Sequence, residues 1–314
     1  MGKKKSPLQQ SLILFKKGDA IGESRQLAKQ DGSISWKIFH STTFQEYVGN
    51  FARVLKYVRT EFNIENAKDV KQEHIIAFFN SLNERGLSQS TIQKYQAVIS
   101  KADLLAKKAG WRQEKDLSWV KDEPKGPKLR ENPKPYTSEE ATAIIAELKK
   151  FRDQRFYTIA QIQRGAGLRV IEAICLRVVA INQNGDLLNL EAADGTKKGR
   201  PREVFVFDQQ TKEVSTKWRN VAKTSGRKRL FINSLKDKNA LTRAYQRALK
   251  KVTEKLNIDH SKTHDLRRTF AKERLTYYIE RGYSKEHALS KLSEDLGHGR
   301  SRMERGLLAS YLND

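Results

Sequence analysis

The chain has 314 residues, with 61 Lys and Arg against 37 Asp and Glu, a formal net charge of +24. A positive surplus of this size steers a protein toward polyanions, nucleic acid first and anionic membrane second. One cysteine, Cys175, excludes a disulfide within the chain and fits a reducing cytoplasm; no signal peptide and no apolar run long enough to span a bilayer is read.

A length of this order suffices for about two domains. Residues 1–32 mix Lys, Gln and Gly with a short apolar run, Leu12 to Phe15, and are expected to form a basic N-terminal arm, either loose or carrying a short docking helix. The opening Met1-Gly2-Lys3-Lys4-Lys5-Ser6 formally fits a myristoylation pattern, but it reads as a basic tail. Helical periodicity then becomes strong. Phe44, Tyr47, Val48, Phe51, Val54, Leu55, Val58 and Phe62 recur at i, i+3, i+4 and i+7, which predicts an amphipathic helix. A second helix carries Ile75, Ile76, Phe78, Phe79 and Leu82 and stops at Arg85-Gly86. Ser88 is the expected N-cap of a third, with Ile92, Tyr95, Val98, Ile99, Ala102 and Leu105 facing inward. Residues 33–111 thus predict a small helical domain. Its polar faces carry Lys56, Arg59, Lys94, Lys101, Lys107 and Lys108, either a solvated surface or a face lying on a phosphate backbone.

Four of the six prolines fall within residues 112–135, beside Lys125, Lys128 and Lys134, which predicts an extended basic linker. The second domain, 136–314, opens on a capping box of Thr137 and Glu140. Helices are expected over the following residues to about 148 and over about 152–164. Gly165 and Gly167 then stop the helix, and a new one starts near Arg169. The helical period is lost over 186–207, where Leu187–Leu190 and Val204–Phe207 are strand-like around a basic, Gly-containing turn: a β-hairpin. From Gly195 to Leu230 there are eleven Lys and Arg against three Asp and Glu, the densest basic stretch of the chain. Helices resume near 241–256, 265–280 and 284–296.

The polar groups of this domain gather at element boundaries. His264 and Arg267 stand three apart at a helix start, so both project from one face: a proton-handling group beside a permanent cation. Arg169 opens another helix, where its guanidinium and the exposed N–H groups both attract phosphate. Two guanidiniums can clamp the non-bridging oxygens of a phosphodiester, and phosphoryl transfer is largely positioning and charge stabilisation. Lys197 on the hairpin turn can protonate a leaving oxygen, His298 can share a proton, and the hydroxyl of Tyr311 can attack phosphorus. The six histidines are scattered and no cluster has metal-ligand spacing, so no metal is expected; no Walker-type loop indicates a nucleotide, so no cofactor is expected.

These residues carry a resemblance. Gly167-Leu168-Arg169-Val170-Ile171-Glu172-Ala173-Ile174 resembles the first arginine box of the tyrosine recombinases, the phage-integrase-like family. Thr196-Lys197-Lys198-Gly199-Arg200-Pro201-Arg202-Glu203-Val204 is similar to its β-hairpin lysine motif. His264-Asp265-Leu266-Arg267-Arg268-Thr269-Phe270-Ala271 resembles its His-x-x-Arg box. Leu296-Gly297-His298 and Ser310-Tyr311-Leu312 are similar to its terminal His and Tyr boxes. The resemblance covers about 136–312, and the helical residues 33–111 look like the family's core DNA-binding domain. Thirteen positions separate His298 from Tyr311, more than is usual in the family.

The resemblance implies a mainly α fold with a small β-hairpin or sheet (α+β), in which the helical domain and the catalytic domain clamp DNA. Arg169 and Arg267 would hold the scissile phosphate, and Lys197 would be the general acid, with Lys198 the fallback. His264 and His298 would handle protons, Tyr311 would form a 3′-phosphotyrosine, and Glu172 and Asp265 would support them. Lys94, Lys101, Lys198, Arg200, Arg202 and Arg268 are expected to contact DNA. The implied activity is site-specific integration and excision through a Holliday junction. Four protomers would act on two double-stranded attachment sites, with an accessory directionality factor, in a prokaryotic cytoplasm or nucleoid and away from membranes. A relaxing topoisomerase or telomere resolvase, a catalytically silent DNA-binding regulator and an RNA-binding protein are the rival readings. Tyr277, Tyr278 and Tyr283 are the rival tyrosines and read as core or rim.

Overall fold

The computed structural model describes residues 5–120, 135–196, 199–259 and 262–297. Among these the chain is mostly helical with one two-stranded antiparallel sheet, the fold class expected from the sequence. It divides into two compact units, Met1–Arg130 and Glu131–Asp314.

The first unit starts with helix α1 (Pro7–Lys16). Ser6 caps it, accepting from the Gln9 amide at 3.2 Å while its own amide donates to Gln9 Oε1 at 2.9 Å, and Pro7 presets the first turn. Leu14 and Phe15 are fully buried, and Phe15 meets Tyr47 and Phe51 edge to face. The buried Gln10 side chain spans the 65–67 turn, donating to Glu65 O at 2.8 Å and accepting from Ala67 N at 2.6 Å. The stretch expected as an arm therefore contributes a helix to the core. The sequence leaves the choice between a loose arm and a docking helix open, because a ten-residue helix with two enclosed apolar side chains shows little period.

Helix α2 (Arg25–Gln30) is short, and α3 (Ser41–Phe62), α4 (Gln72–Glu84) and α5 (Gln89–Lys108) follow the expected stripes. Their core is Phe51, Val54, Val58, Ile75, Leu82, Ile92, Ile99 and Leu105. Residues 112–120 also belong to this unit rather than to a linker. Trp119 is buried, stacks on Phe51 with centroids 6.0 Å apart, and donates its indole N–H to Val70 O at 3.3 Å. Arg112 lies over the Trp119 ring and pairs with the buried Asp103. The proline-bearing residues 121–134 lie outside the described residues.

In the second unit, Thr137 and Glu140 close the expected capping box at the start of α6 (Ser138–Lys149). Helices α7 (Arg155–Ala166) and α8 (Val170–Cys175) follow. Strand β1 (Leu187–Leu190) pairs antiparallel with β2 (Arg202–Phe205), Leu190 opposite Arg202 and Leu187 opposite Phe205. The second strand sits two residues earlier than expected: Phe207 leaves the ladder and its ring stacks on Tyr277 at 4.7 Å. Then come α9 (Gln209–Thr224), α10 (Lys238–Lys255), α11 (Asp265–Glu280) and α12 (Lys285–Asp295), the last capped by Ser284. Helix α9 was not expected. Its inward face is Thr211, Val214, Ser215, Trp218 and Ala222, so small and polar residues erase the apolar stripe. Ile144, Leu148, Ile159, Ile162, Leu168, Ile174, Leu188, Val204, Leu249 and Leu266 form one core from which the ends of α7, α8, β2 and α11 emerge.

Candidate active site

The turn between α7 and α8 is set by Gly167, whose φ of +59° lies in the left-handed region. A Cβ there would also stand 2.3 Å from the Phe270 ring, so α11 packs against bare backbone. Leu168 anchors the turn in the core, which leaves Arg169 as the N-cap of α8 in an extended conformation. Glu172, one turn on, accepts from the Arg169 amide at 2.8 Å and from Arg169 Nη1 at 2.7 Å. The helix start and the guanidinium are thus fixed by one carboxylate.

Two more arginines converge on it. Arg202, at the start of β2, donates Nη1 to Glu172 Oε1 at 3.0 Å and Nη2 to Oε2 at 2.7 Å. Arg267, in the first turn of α11, brings Nη1 within 3.6 Å of Oε2. It also donates Nη1 to Gly167 O and Nη2 to Leu296 O, the latter at 2.6 Å, so it ties α11 to both the arginine turn and the end of α12. Glu172 is fully buried. Burial opposes its ionisation most strongly, yet the Arg202 hydrogen bonds and the charges of Arg202, Arg267 and Arg169 outweigh that and bring its carboxyl down to about 2. Of the three guanidiniums, Arg169 keeps most access to solvent, with 21% of its side chain exposed against 6% for Arg202 and none for Arg267.

His264 is the N-cap of α11 and is half-buried. It lines an open cleft of about 530 Å³ with Lys262, Thr263 and the Arg243, Gln246, Arg247 and Lys250 face of α10. The buried Gln163 amide donates to Leu168 O at 3.3 Å and to Thr263 O at 3.0 Å, so one side chain bridges the backbone before Arg169 and the backbone before His264. Asp265 is buried at the first helical position, accepting from Lys262 N at 3.2 Å and from Arg268.

The structure thus brings Arg169, Glu172 and Arg267 together and places His264 and Asp265 at the same helix start. Lys197, Lys198, His298 and Tyr311 lie outside the described residues. Of the cations expected on DNA, Lys94 and Arg200 are exposed, and Lys101 donates to Ser35 O. Arg202 and Arg268 are not presented that way: each is turned inward onto a carboxylate, Glu172 and Asp265 respectively. Sequence reading assigned nothing to Gln163, Arg243, Arg247 or Lys250. The i, i+4, i+7 spacing of the last three on α10 was the signal available for them. Of the rival tyrosines, Tyr278 donates its hydroxyl to Asp295 at 2.8 Å, and burial together with that carboxylate raises its pKa well above the usual phenol value. Among the described residues no three His, Cys, Asp or Glu side chains gather as a metal site, and no helix is long and apolar enough to cross a membrane.

The model of the phage integrase family matches residues 135–303, more than half of the chain. The chain belongs to the phage integrase family. It is a site-specific recombinase of the tyrosine type. The match spans the arginine turn, the hairpin and the start of α11, and ends before Tyr311. Among solved structures, the XerH site-specific recombinase in its post-cleavage complex with a palindromic difH substrate aligns over 100% of this chain and 95% of its own, at 15% identity and a TM-score of 0.62. The lambda integrase dimer bound to a COC′ core site aligns over 88% of this chain and 74% of its own, at 15% identity and a TM-score of 0.61. The Tn1549 transposon integrase in complex with transposon right end DNA aligns over 97% and 95%, at 16% identity and a TM-score of 0.59. At these identities the likeness is one of fold. No curated protein matches the chain.

Proposed function

We propose that this recombinase cleaves and rejoins double-stranded DNA at its attachment sites through a 3′-phosphotyrosine on Tyr311. Arg169, the most open of the clustered arginines, meets a non-bridging oxygen of the scissile phosphate. Arg267, enclosed beneath it, adds a fixed positive charge where water cannot screen it, the kind of preorganised stabilisation that lowers a phosphoryl-transfer barrier. His264 and His298 exchange protons with the phosphate oxygens and the nucleophile. Lys197, or failing it Lys198, protonates the leaving 5′-oxygen. Asp265 orders the first turn of α11 that carries His264 and Arg267.

The observation that carries this reading is the convergence of Arg169 and Arg267, about a hundred positions apart, on one buried carboxylate. The cleft beside His264, with Arg243, Arg247 and Lys250 along one wall, is the track we assign to the DNA backbone. Lys94 and Arg200 are further assigned to phosphate contacts. Strand exchange then runs through a Holliday junction in a tetramer on two duplexes, aided by a directionality factor, in the cytoplasm or on the nucleoid.

The test begins with a pool of nicked random-sequence duplexes, from which the protein captures its own site covalently. Two duplexes bearing the captured sequence, one labelled, are then incubated with the protein, and recombinant products are scored beside relaxation of a plasmid carrying one copy. Recombinants support the proposal. Relaxation alone replaces it with a topoisomerase, and tight binding without covalent capture replaces it with a silent regulator.

A further inference from the structure

Arg202 does not behave as a surface cation. We propose that it is a positioning residue for the cleavage reaction, holding the Glu172 carboxylate in the one orientation that presents Arg169 to the scissile phosphate. The inference rests on the function proposed above and concerns how its phosphate clamp is built.

Each oxygen of Glu172 takes one bond from each of two arginines. Oε1 accepts from Arg169 Nη1 at 2.7 Å and Arg202 Nη1 at 3.0 Å; Oε2 accepts from Arg169 N at 2.8 Å and Arg202 Nη2 at 2.7 Å. The fork of Arg202 therefore fixes the plane of the carboxylate, which a single-point donor could not do. Arg169 is attached to that carboxylate through one Nη and its backbone amide, so the direction of its exposed guanidinium follows the carboxylate's plane. Arg202 is itself held rigidly. It pairs with Leu190 across the sheet, and Leu190 is buried in the core. Its side-chain stem fills the space beside Gly297, where a Cβ would come within 2.7 Å of Arg202 Cδ. The neighbouring Leu296 carbonyl is the one that receives Arg267 Nη2. One side chain thus touches the support of Arg169 and the turn that supports Arg267. With 6% of its side chain exposed and both Nη atoms on Glu172, Arg202 has no reach to a DNA backbone.

A clamp defect and a leaving-group defect can be separated chemically. Replacing the bridging 5′-oxygen by sulfur gives a leaving group that departs without a proton. Replacing a non-bridging oxygen by methyl removes the charge that the arginines neutralise. Single-turnover cleavage by wild type and Arg202→Met is measured on nicked duplexes of the captured sequence with a normal phosphodiester, a 5′-phosphorothiolate and a methylphosphonate. The proposal predicts a loss of about 10²-fold on the phosphodiester, as expected when a catalytic group is misplaced by about 1 Å. It predicts the same loss on the phosphorothiolate, a smaller loss on the methylphosphonate, and unchanged DNA affinity.

A wild-type rate in Arg202→Met overturns the inference. So does a loss that vanishes on the phosphorothiolate, which would assign Arg202 to leaving-group protonation, or a loss matched by weaker DNA binding, which would make it a direct DNA ligand. Arg202→Lys keeps a cation beside Glu172, which guards against misfolding, but offers one donor point in place of the fork. It is expected to fold and to remain slow, and recovery of the wild-type rate would overturn the inference. Failure of the wild-type protein to cleave at all would remove the proposed function itself, a result distinct from a wild-type protein that cleaves and an Arg202→Met that cleaves equally well.

Discussion

Replacing Glu172 with Gln removes one negative charge from among three guanidiniums and almost no volume. The carboxyl stands at about 2 in the folded chain against an ordinary 4.5, so its charged form is favoured by about 3 kcal/mol in the native state. A glutamine keeps one acceptor oxygen but turns an N–H₂ toward the arginine donors, which adds a donor–donor repulsion to the missing charge. Because the native value is the lower one, this stability is fully present above the unfolded value near 4.5 and is lost as pH falls from there toward about 2. The assay is urea unfolding of wild type and Glu172→Gln at a series of pH values, read by far-UV circular dichroism. The expected gap is about 3 kcal/mol at about pH 7, narrowing below about pH 4.5 as the wild-type protein alone loses the contribution. Equal stability at about pH 7, or a gap that stays constant down to about pH 3, would refute the reasoning, since either result would mean that the arginines do not depend on this charge.

Other perturbations follow from the same geometry. Gly167→Ala combines a left-handed φ with a Cβ against Phe270, and should destabilise the second unit by about 1–3 kcal/mol in chemical unfolding while slowing covalent capture. Phe15→Ala should lower the stability of the first unit by about 3–5 kcal/mol, a result that a loose N-terminal arm would not produce. Tyr278→Phe should cost about 1 kcal/mol by removing one hydrogen bond to Asp295, which keeps Arg274 beside it, yet leave the covalent adduct intact on a denaturing gel, because the hydroxyl is committed to that carboxylate. Joint replacement of Arg243, Arg247 and Lys250 by Gln should flatten the salt dependence of DNA binding, by about 0.9 in log–log slope for each phosphate that is no longer neutralised. An unchanged slope would take the α10 face off the DNA track.

Elements with a wide apolar face are legible in the sequence. The stripes of α3, α4 and α5, the capping box at Thr137 and the glycine stop before Arg169 depend on local physics, and each stands where the residues predict. Elements whose inward face is small or polar were not legible, and α9, with Thr211, Ser215 and Ala222 inside, is the example. The roles of the basic residues divided in a similar way. Sequence spacing put Arg169 and Arg267 forward, but Arg202 and Arg268 were expected to contact DNA. For Arg268 the carboxylate, Asp265, stands only three residues back, but for Arg202 the deciding partner, Glu172, lies thirty positions away. Gln163 was invisible for the same reason: a buried amide joining Leu168 O to Thr263 O has no signature until the two turns meet.

Covalent capture tests the central claim most directly. The protein is incubated with the nicked, labelled duplex, separated on a denaturing gel beside Tyr311→Phe, and the adduct peptide is mapped by mass spectrometry. The account predicts a protein–DNA band in the wild type, a 3′-phosphate on Tyr311, and no band in the variant. A band that survives Tyr311→Phe, or an adduct on Tyr277, Tyr278 or Tyr283, would contradict it.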